Sequence, residues 1–251
     1  MAILQTGLRV NLRYATGINM YKFDYSFFLH ELWVAVTYIP LTLKLSMIPM
    51  VFGLVFGTLL AILRIQKVPV LNTLIKIYIL IFRSMPMVLM ILILYFSFMY
   101  GFDTIAELMH LKIRSGNVPP IILAYIILSI VSVAFMTESI RTALQSVQKG
   151  QVEAAHSIGM KTSAIYRRII IPQALPVAIP ILGNTFIGLT KGTALVYMIG
   201  VTDLITGVKI EANASYRYLE AYIAIAVIYW LLCIAIEQGI RLLSHRVNAV
   251  S

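Results

Sequence analysis

Charged residues are scarce in this chain. Asp, Glu, Lys and Arg together make up 12% of its 251 residues, whereas hydrophobic residues make up 60% and the mean hydropathy is +0.90. A soluble domain needs many more polar groups to cover its surface, so the composition predicts a chain that lies in a lipid bilayer. Cysteine is almost absent, since Cys233 is the single one, and this excludes an intrachain disulfide and a multi-cysteine metal site.

The residues that enzymes use are also missing or dispersed. The sequence has no His-Glu-x-x-His motif and no paired intramembrane aspartates. Gly183 and Gly188 have the spacing of a phosphate-binding loop, but Leu189-Thr190 stands where Lys-Ser/Thr is required. We therefore predict no catalytic residue, no metal site and no bound ATP in this chain. The four histidines are scattered: His30, His110, His156 and His245.

The net charge of +10 does not indicate a nucleic-acid partner. The basic residues lie at the ends of apolar runs rather than along one stripe, which is the pattern of a membrane protein. A secondary transporter or a channel is the remaining rival class. Such a protein should show inverted repeats, and the two halves of this sequence show none. Dependence of uptake on ATP would separate these classes.

Five apolar runs are suited to cross a bilayer core, which needs about 20 residues. They cover residues 39–63, 85–100, 118–136, 175–201 and 218–242. We predict an all-α integral membrane protein with five transmembrane helices, in which residues 68–82 form an interfacial helix before the second span. If 68–82 were itself a span, the N-terminus would move to the cytoplasm. The predicted parts are an extracytoplasmic segment 1–38 with an interfacial helix at 23–36, a transmembrane domain 39–246 and a tail 247–251.

Lysine and arginine are unevenly distributed between the two sides of this topology. Cytoplasmic loops carry an excess of basic residues, and eleven fall on one side against seven on the other. We therefore predict that the N-terminus lies outside and the C-terminus in the cytoplasm. The cytoplasmic group is Arg64, Lys67, Lys76, Arg83, Arg141, Lys149, Lys161, Arg167, Arg168, Arg241 and Arg246, and the outer group is Arg9, Arg13, Lys22, Lys112, Arg114, Lys209 and Arg217.

A polar interruption at residues 150–172 separates the third and fourth apolar runs. Its pattern predicts two short helices joined at Gly159, because glycine takes the positive φ that ends a helix. Thr162 and Ser163 are able to cap the second helix, and Pro172 is expected to stop it. On the positive-inside argument this interruption lies in the cytoplasm.

The interruption resembles the EAA loop of ABC importer permeases. Glu153-Ala154-Ala155 is followed by Gly159 six positions after the glutamate, and then by Ile169-x-Ile171-Pro172, with Ile171 in place of leucine. The resemblance extends from about residue 40 to 246 and includes Phe82-Arg83-Ser84-Met85-Pro86. It points to the polar-amino-acid branch of type I importers, and segments around Ile39 and Ile199 look like those of cystine importers.

The resemblance implies a role, partners and a place in the cell. The chain would be a non-catalytic permease subunit in a bacterial inner membrane, surrounded by lipid and forming the path for an amino acid. The cystine-like segments favour L-cystine as that amino acid. A separate ATPase would bind ATP and Mg²⁺, a second permease, identical or homologous, would complete the path, and an extracytoplasmic binding protein would deliver substrate. Residues implied in coupling to the ATPase are Glu153, Ala154, Ala155, Ile158, Gly159, Ile169, Ile171 and Pro172.

Polar residues within the spans are candidates for the translocation path. Lys191 lies in the fourth span, where an ionisable group is costly and needs a cavity or a partner. It either lines the path or reaches a backbone carbonyl. Glu138 and Arg141 form an intrahelical i, i+3 ion pair or share in closing the cavity. The remaining candidates are Asn184, Thr190 and Thr193, although threonine hydroxyls in apolar helices usually bond to the preceding turn.

Overall fold

The structure is a computed structural model that describes residues 22–248, with side chains through 247. Every regular element in that range is helical. The predicted basic residues Arg9 and Arg13 and the end of the tail lie outside the described residues. The helices are α1 (Tyr25–Ile65), α2 (Leu71–Ser84), α3 (Met87–Leu108), α4 (Pro120–Leu144), α5 (Lys149–Ser157), α6 (Thr162–Ile165), α7 (Ile171–Gly192), α8 (Leu204–Ser215) and α9 (Tyr218–Asn248), with short 3₁₀ or π turns at Ser115–Asn117, Tyr166–Ile170 and Thr193–Ile199.

Five helical stretches of the described chain are long and apolar enough to cross a membrane, as the sequence predicted. They are Tyr25–Ile65, Met87–Leu108, Pro120–Leu144, Thr162–Ile199 and Tyr218–Val247. Helix α2 has 14 residues and is about 21 Å long, so it is shorter than a bilayer core of about 30 Å. That length fits the predicted interfacial helix before the second span.

Helix α1 corrects one boundary. The sequence predicted a separate interfacial helix at 23–36 before the first span, whereas the structure has one continuous helix of 41 residues. The helix starts at Asp24, whose carboxylate accepts hydrogen bonds from the backbone N–H groups of Ser26 at 3.0 Å and Phe27 at 3.1 Å. Pro40 lies inside α1 without ending it, and prolines are tolerated in this way in membrane helices.

Helix α4 lies at the centre of the bundle and packs closely on α1. Added Cβ atoms at Gly53 and Gly57 of α1 would collide with Ser132 and Met136 of α4, so the two backbones meet at these glycines. The main apolar core joins α1, α3 and α4 to the 3₁₀ turn after α7, through Leu45, Ile91, Leu123, Ala124, Ile127, Leu128, Val196, Ile199 and Val201.

Candidate functional site

The loop between α4 and α7 contains the predicted glycine turn. Gly159 has φ of +78° and ends α5 in a Schellman motif, in which its N–H donates to the carbonyl of His156 at 2.9 Å and the N–H of Met160 donates to that of Ala155 at 3.1 Å. No atom lies within 4 Å of a Cβ built at Gly159. Glycine is therefore favoured here by the backbone conformation and not by a lack of room for a side chain.

The second half of the loop differs from the prediction. Lys161 precedes α6 as its N-cap and no side chain caps the helix, so Thr162 and Ser163 lie inside the first turn. Pro172 does not end the helix either. A π turn at Tyr166–Ile170 widens the helix, and the N–H of Ile171 donates to the carbonyl of Tyr166, so the chain passes Pro172 and continues as α7.

The loop has a small apolar core of its own. Ala155 of α5 is buried against Ile165, Ile170 and Ala174, which come from α6, the π turn and α7. The side-chain amide of Gln173 also donates to the side-chain oxygen of Gln151 at 2.7 Å. These contacts hold α5 against the start of α7, so the two elements are expected to move as one unit.

The residues predicted to couple to an ATPase divide into two groups. Ala155 and Ile169 contribute to the loop core, whereas the others are exposed. Ile158 has 78% of its surface accessible, against 48% for Ile171. Ile158 therefore gives the loop an exposed apolar side chain among polar neighbours. The exposed group is Glu153, Ala154, Ile158, Gly159, Ile171 and Pro172.

Glu138 is the centre of a three-residue charge cluster. The predicted i, i+3 pair is present, since the Arg141 guanidinium donates to both Glu138 oxygens, at 2.5 and 3.1 Å. Arg64, at the end of α1, also donates to Glu138. The sequence did not predict Arg64, which is 74 residues away and has no local signal for this pairing. One carboxylate thus ties the ends of α1 and α4 together.

A cavity of about 550 Å³ lies between α2, α3, α4 and α7. Asn184, which the sequence predicted as a residue of the path, lines this cavity. Arg83 and Ser139 also line it, although the sequence did not predict them as residues of the path. The Ser139 and Thr185 hydroxyls are 3.3 Å apart, and the Arg83 guanidinium is 6.0 Å from the centroid of the Phe135 ring. The lining residues are Arg83, Met87, Val131, Phe135, Ser139, Ile181, Asn184, Thr185, Gly188 and Leu189.

The other predicted path residues lie outside this lining. Thr190 and Thr193 are buried, and their hydroxyls donate to the carbonyls of Phe186 and Thr190, as threonine hydroxyls in apolar helices usually do. Lys191 is exposed and forms no hydrogen bond or ion pair with any residue that the structure describes. It follows Asn184 and Gly188 at helical spacing, so it continues the face of α7 that lines the cavity.

The sequence profile of the family described as "Binding-protein-dependent transport system inner membrane component" matches residues 53–249. This chain belongs to that family. Members are the membrane subunits of ABC transporters and carry out no catalysis themselves, as the resemblance of the loop implied.

Several related curated proteins are named as amino-acid permeases. The probable amino-acid permease protein YxeN of Bacillus subtilis is 36% identical over 86% of this chain and 92% of its own length. The probable amino-acid ABC transporter permease protein PatM of Vibrio harveyi is 35% identical over 83% of this chain and 89% of its length. The L-cystine transport system permease protein TcyL of Bacillus subtilis is 35% identical over 84% of this chain and 86% of its length.

Solved structures agree on the fold. An amino acid ABC transporter crystallised with histidines superposes with a TM-score of 0.77 at 29% identity, over 90% of this chain and 99% of its own. The methionine ABC transporter MetNI in an inward-facing form has a TM-score of 0.65 at 20% identity, over 86% of this chain and 96% of its own. The predicted all-α type I importer fold with five spans is therefore confirmed.

Proposed function

We propose that this chain is the permease subunit of an ATP-driven importer that moves a polar amino acid across a bacterial inner membrane. A partner ATPase binds ATP and Mg²⁺ and docks on the loop between α4 and α7. A second permease, identical or homologous, completes the path, and an extracytoplasmic protein delivers the amino acid. The N-terminus lies outside and the C-terminus in the cytoplasm. Family membership and the amino-acid permeases among the relatives support this proposal.

The observation that carries it is the continuity of the loop with the cavity. The chain runs as one helical rod from Thr162 through the π turn to Asn184, a length of about 33 Å. Because α5 packs on the start of this rod, displacement of α5 by an ATPase shifts the cavity wall directly. ATP binding and hydrolysis by the ATPase therefore act on the cavity through a rigid-body movement of packed helices.

The surface for the ATPase is the exposed side of α5 and its glycine turn. Ile158 supplies an apolar side chain for a groove on the partner, and Glu153 supplies a charge beside it. Ala155 and Ile169 support this surface from beneath, and the Gly159 turn fixes the direction in which α5 leaves the membrane. Ile171 and Pro172 complete the exposed side at the start of α7.

The cavity fits the charged groups shared by all amino acids. The Arg83 guanidinium offers donors for an α-carboxylate, and the Asn184 side chain and the hydroxyl of Ser139 offer acceptors for an α-ammonium group. Lys191 extends the same face of α7 toward the next part of the path. Glu138, Arg141 and Arg64 neutralise one another and join two helices, so we assign them to closure of the cytoplasmic end rather than to substrate contact.

L-cystine is the first substrate to test, because one relative is named as an L-cystine permease. Uptake of labelled L-cystine, glutamine, histidine and methionine into liposomes should be measured with the permease, its ATPase and its binding protein. We expect uptake only when ATP is present on the side of the liposome membrane that the ATPase faces. We also expect saturable uptake for one of these amino acids. Equal uptake without ATP would contradict the proposal and favour a secondary transporter.

Lys191 offers a test of the path with a matched control. Lys191→Met removes the charge beside the cavity but keeps an unbranched chain, and we expect it to lower ATP-driven uptake at least about tenfold. Lys44→Met makes the same change at an exposed lysine of α1 and should leave uptake unchanged. Wild-type uptake by Lys191→Met would remove this residue from the path.

A further inference from the structure

Three metal-ligating side chains meet where α1 begins and α8 ends. His30 and Glu31 are in the second turn of α1, and Glu211 is in α8, just before its last turn. One ligand atom from each lies within 4.8 Å of the other two, and His30 Nε2 is 2.7 Å from Glu211 Oε2. The sequence predicted no metal site, because the histidines are scattered and the partner of His30 is 181 residues away.

Glu31 is buried beside the Glu211 carboxylate and forms an ion pair with no lysine or arginine of the described chain. It is 0% exposed, and neither of its carboxylate oxygens has a hydrogen-bond partner among the described residues. A buried carboxylate without a partner is costly, and such groups are usually paired or bind a metal. Glu31 lies one turn before Ala35, on the face of α1 that packs against Val208 and Ala212 of α8, and its carboxylate therefore faces the cluster.

The nearby cations are engaged elsewhere. Arg217 pairs with Asp24 at 3.2 Å and with Glu220 at 2.9 Å, and the Lys209 ammonium is 4.5 Å from the centroid of the Tyr197 ring. Within the described chain, no lysine or arginine forms an ion pair with Glu31 or Glu211. Two carboxylates therefore meet beside one imidazole, with no lysine or arginine to neutralise them.

We propose that His30, Glu31 and Glu211 bind one divalent transition-metal ion of the zinc class. One imidazole and two carboxylates are suited to Zn²⁺, which binds nitrogen and oxygen at about 2.0–2.2 Å in tetrahedral sites. Ligands in such a tetrahedron are about 3.3 Å apart, so the present separations need only a small adjustment. The imidazole selects against Ca²⁺ and Mg²⁺, which prefer oxygen ligands, and water completes the fourth position.

The site is separate from the proposed path. His30 and Arg64 are 34 residues apart on one helix, so the cluster is about 51 Å from the end of α1 that pairs with Glu138. A bound ion would fasten the first turns of α1 to α8. Binding can therefore be measured on the full chain without transport, and it neither requires nor tests the proposed function.

Metal binding by the untagged full chain in lipid nanodiscs tests the proposal. After treatment with a chelator, the protein should be titrated with Co²⁺, followed by visible absorption, and with Zn²⁺ in competition. We expect one Co²⁺ per chain with the absorption of a tetrahedral site, displaced by Zn²⁺ but not by Ca²⁺. Zn²⁺ should also raise the unfolding temperature, because a ligand that binds only the native state stabilises it.

Variants identify the ligands. His30→Gln and Glu31→Gln should each lower the affinity at least about tenfold and abolish the rise in unfolding temperature. His245→Gln and Glu237→Gln make the same changes at exposed positions of α9 and should bind like wild type. His30 is itself exposed, so its variant is expected to fold even if Glu31→Gln does not. Absence of a saturable site, preference for Ca²⁺, or wild-type affinity in His30→Gln would overturn the proposal.

Discussion

Single carboxylates in this chain hold together parts that are distant in sequence. Glu138 neutralises Arg141 of its own helix and Arg64 of α1, and all three side chains are less than one quarter exposed. A charge cluster of this kind contributes little while it is intact, because desolvation offsets the attraction. Its removal is costly, because the remaining charges then repel one another in a poorly hydrated place.

Glu138→Gln is therefore expected to destabilise the protein by about 1–3 kcal/mol. The amide keeps the size of the side chain but leaves Arg64 and Arg141 without a counter-charge. Thermal unfolding in detergent, followed by fluorescence, measures the change. Adding Arg64→Met should recover part of the loss, since it removes one of the unpaired charges.

Glu237→Gln is the matched control for this change. It breaks an i, i+4 pair with Arg241 whose side chains are 48% and 63% exposed, and surface pairs contribute at most about 1 kcal/mol. Equal effects of Glu138→Gln and Glu237→Gln would show that the cluster between α1 and α4 has no structural role.

Asp24 links the start of α1 to the start of α9 and gives stability a dependence on pH. The Ser26 hydroxyl, the N–H of Phe27 and the Arg217 guanidinium outweigh partial burial and hold its pKa below the usual value. A carboxyl with a lowered folded-state pKa contributes stability above its unfolded pKa of about 3.9 and loses it as the pH falls through the folded value.

Asp24→Asn should therefore be less stable than wild type at pH 6 and approach it as the pH falls below about 4. Asparagine still caps the helix but cannot pair with Arg217, so the variant lacks this titration. Unfolding temperatures between pH 6 and 3 measure the difference. A constant gap over this range would show that ionised Asp24 makes no contribution, and Ser26→Ala should shift the loss toward higher pH.

At the scale of elements, the loop between α4 and α7 turns on one backbone angle, the positive φ of Gly159. Gly159 has a positive φ that a β-branched residue adopts only with strain, and no nearby atom would hinder its side chain. Gly239 has equally open surroundings but lies within α9, outside the loop, with ordinary helical geometry. The two glycines thus separate the effect of conformation from that of added bulk.

Gly159→Val is expected to redirect α5 and to abolish ATP-driven uptake while insertion in the membrane stays normal. The strain of a left-handed residue is about 1–2 kcal/mol or more, and a changed turn relieves it. Gly239→Val should transport like wild type, because it adds the same bulk at an open helical position outside the loop and valine is no worse a helix former than glycine. Proteoliposome uptake and co-purification with the ATPase measure both. Undiminished uptake by a well-expressed Gly159→Val protein would refute the coupling role of the turn.

The same elements show what the sequence could predict and why. The glycine turn was predictable because a positive φ is adopted mainly by glycine, which the sequence shows directly. The spans were predictable from the length of the apolar runs. The passage through Pro172 was not, because burial of Ile165, Ile170 and Ala174 outweighs the usual effect of proline and only the fold brings them together. The Arg64–Glu138 and His30–Glu211 contacts join distant segments and leave no local pattern.

At the scale of the whole molecule, the proposed docking of an ATPase requires the loop to face the compartment that contains the ATPase. Five spans place the connection between α3 and α4 on the opposite side from the loop between α4 and α7. Ser115 in the first connection is unsuitable for labelling, because it is 2% exposed and donates its hydroxyl to Asp103 at 2.8 Å. Lys112 in the same connection and Ser163 in α6 are both exposed.

Single cysteines at Lys112→Cys and Ser163→Cys, each in a Cys233→Ser background, should react with an impermeant thiol reagent from opposite sides. Because basic residues are concentrated on the side of the loop, we expect Lys112→Cys to react in intact cells and Ser163→Cys to react only after the membrane is opened. Cys233→Ser alone gives the background of the assay. Reaction of both cysteines in intact cells would contradict the five-span topology, and the reverse pattern would invert it and place the loop where no ATPase could reach it.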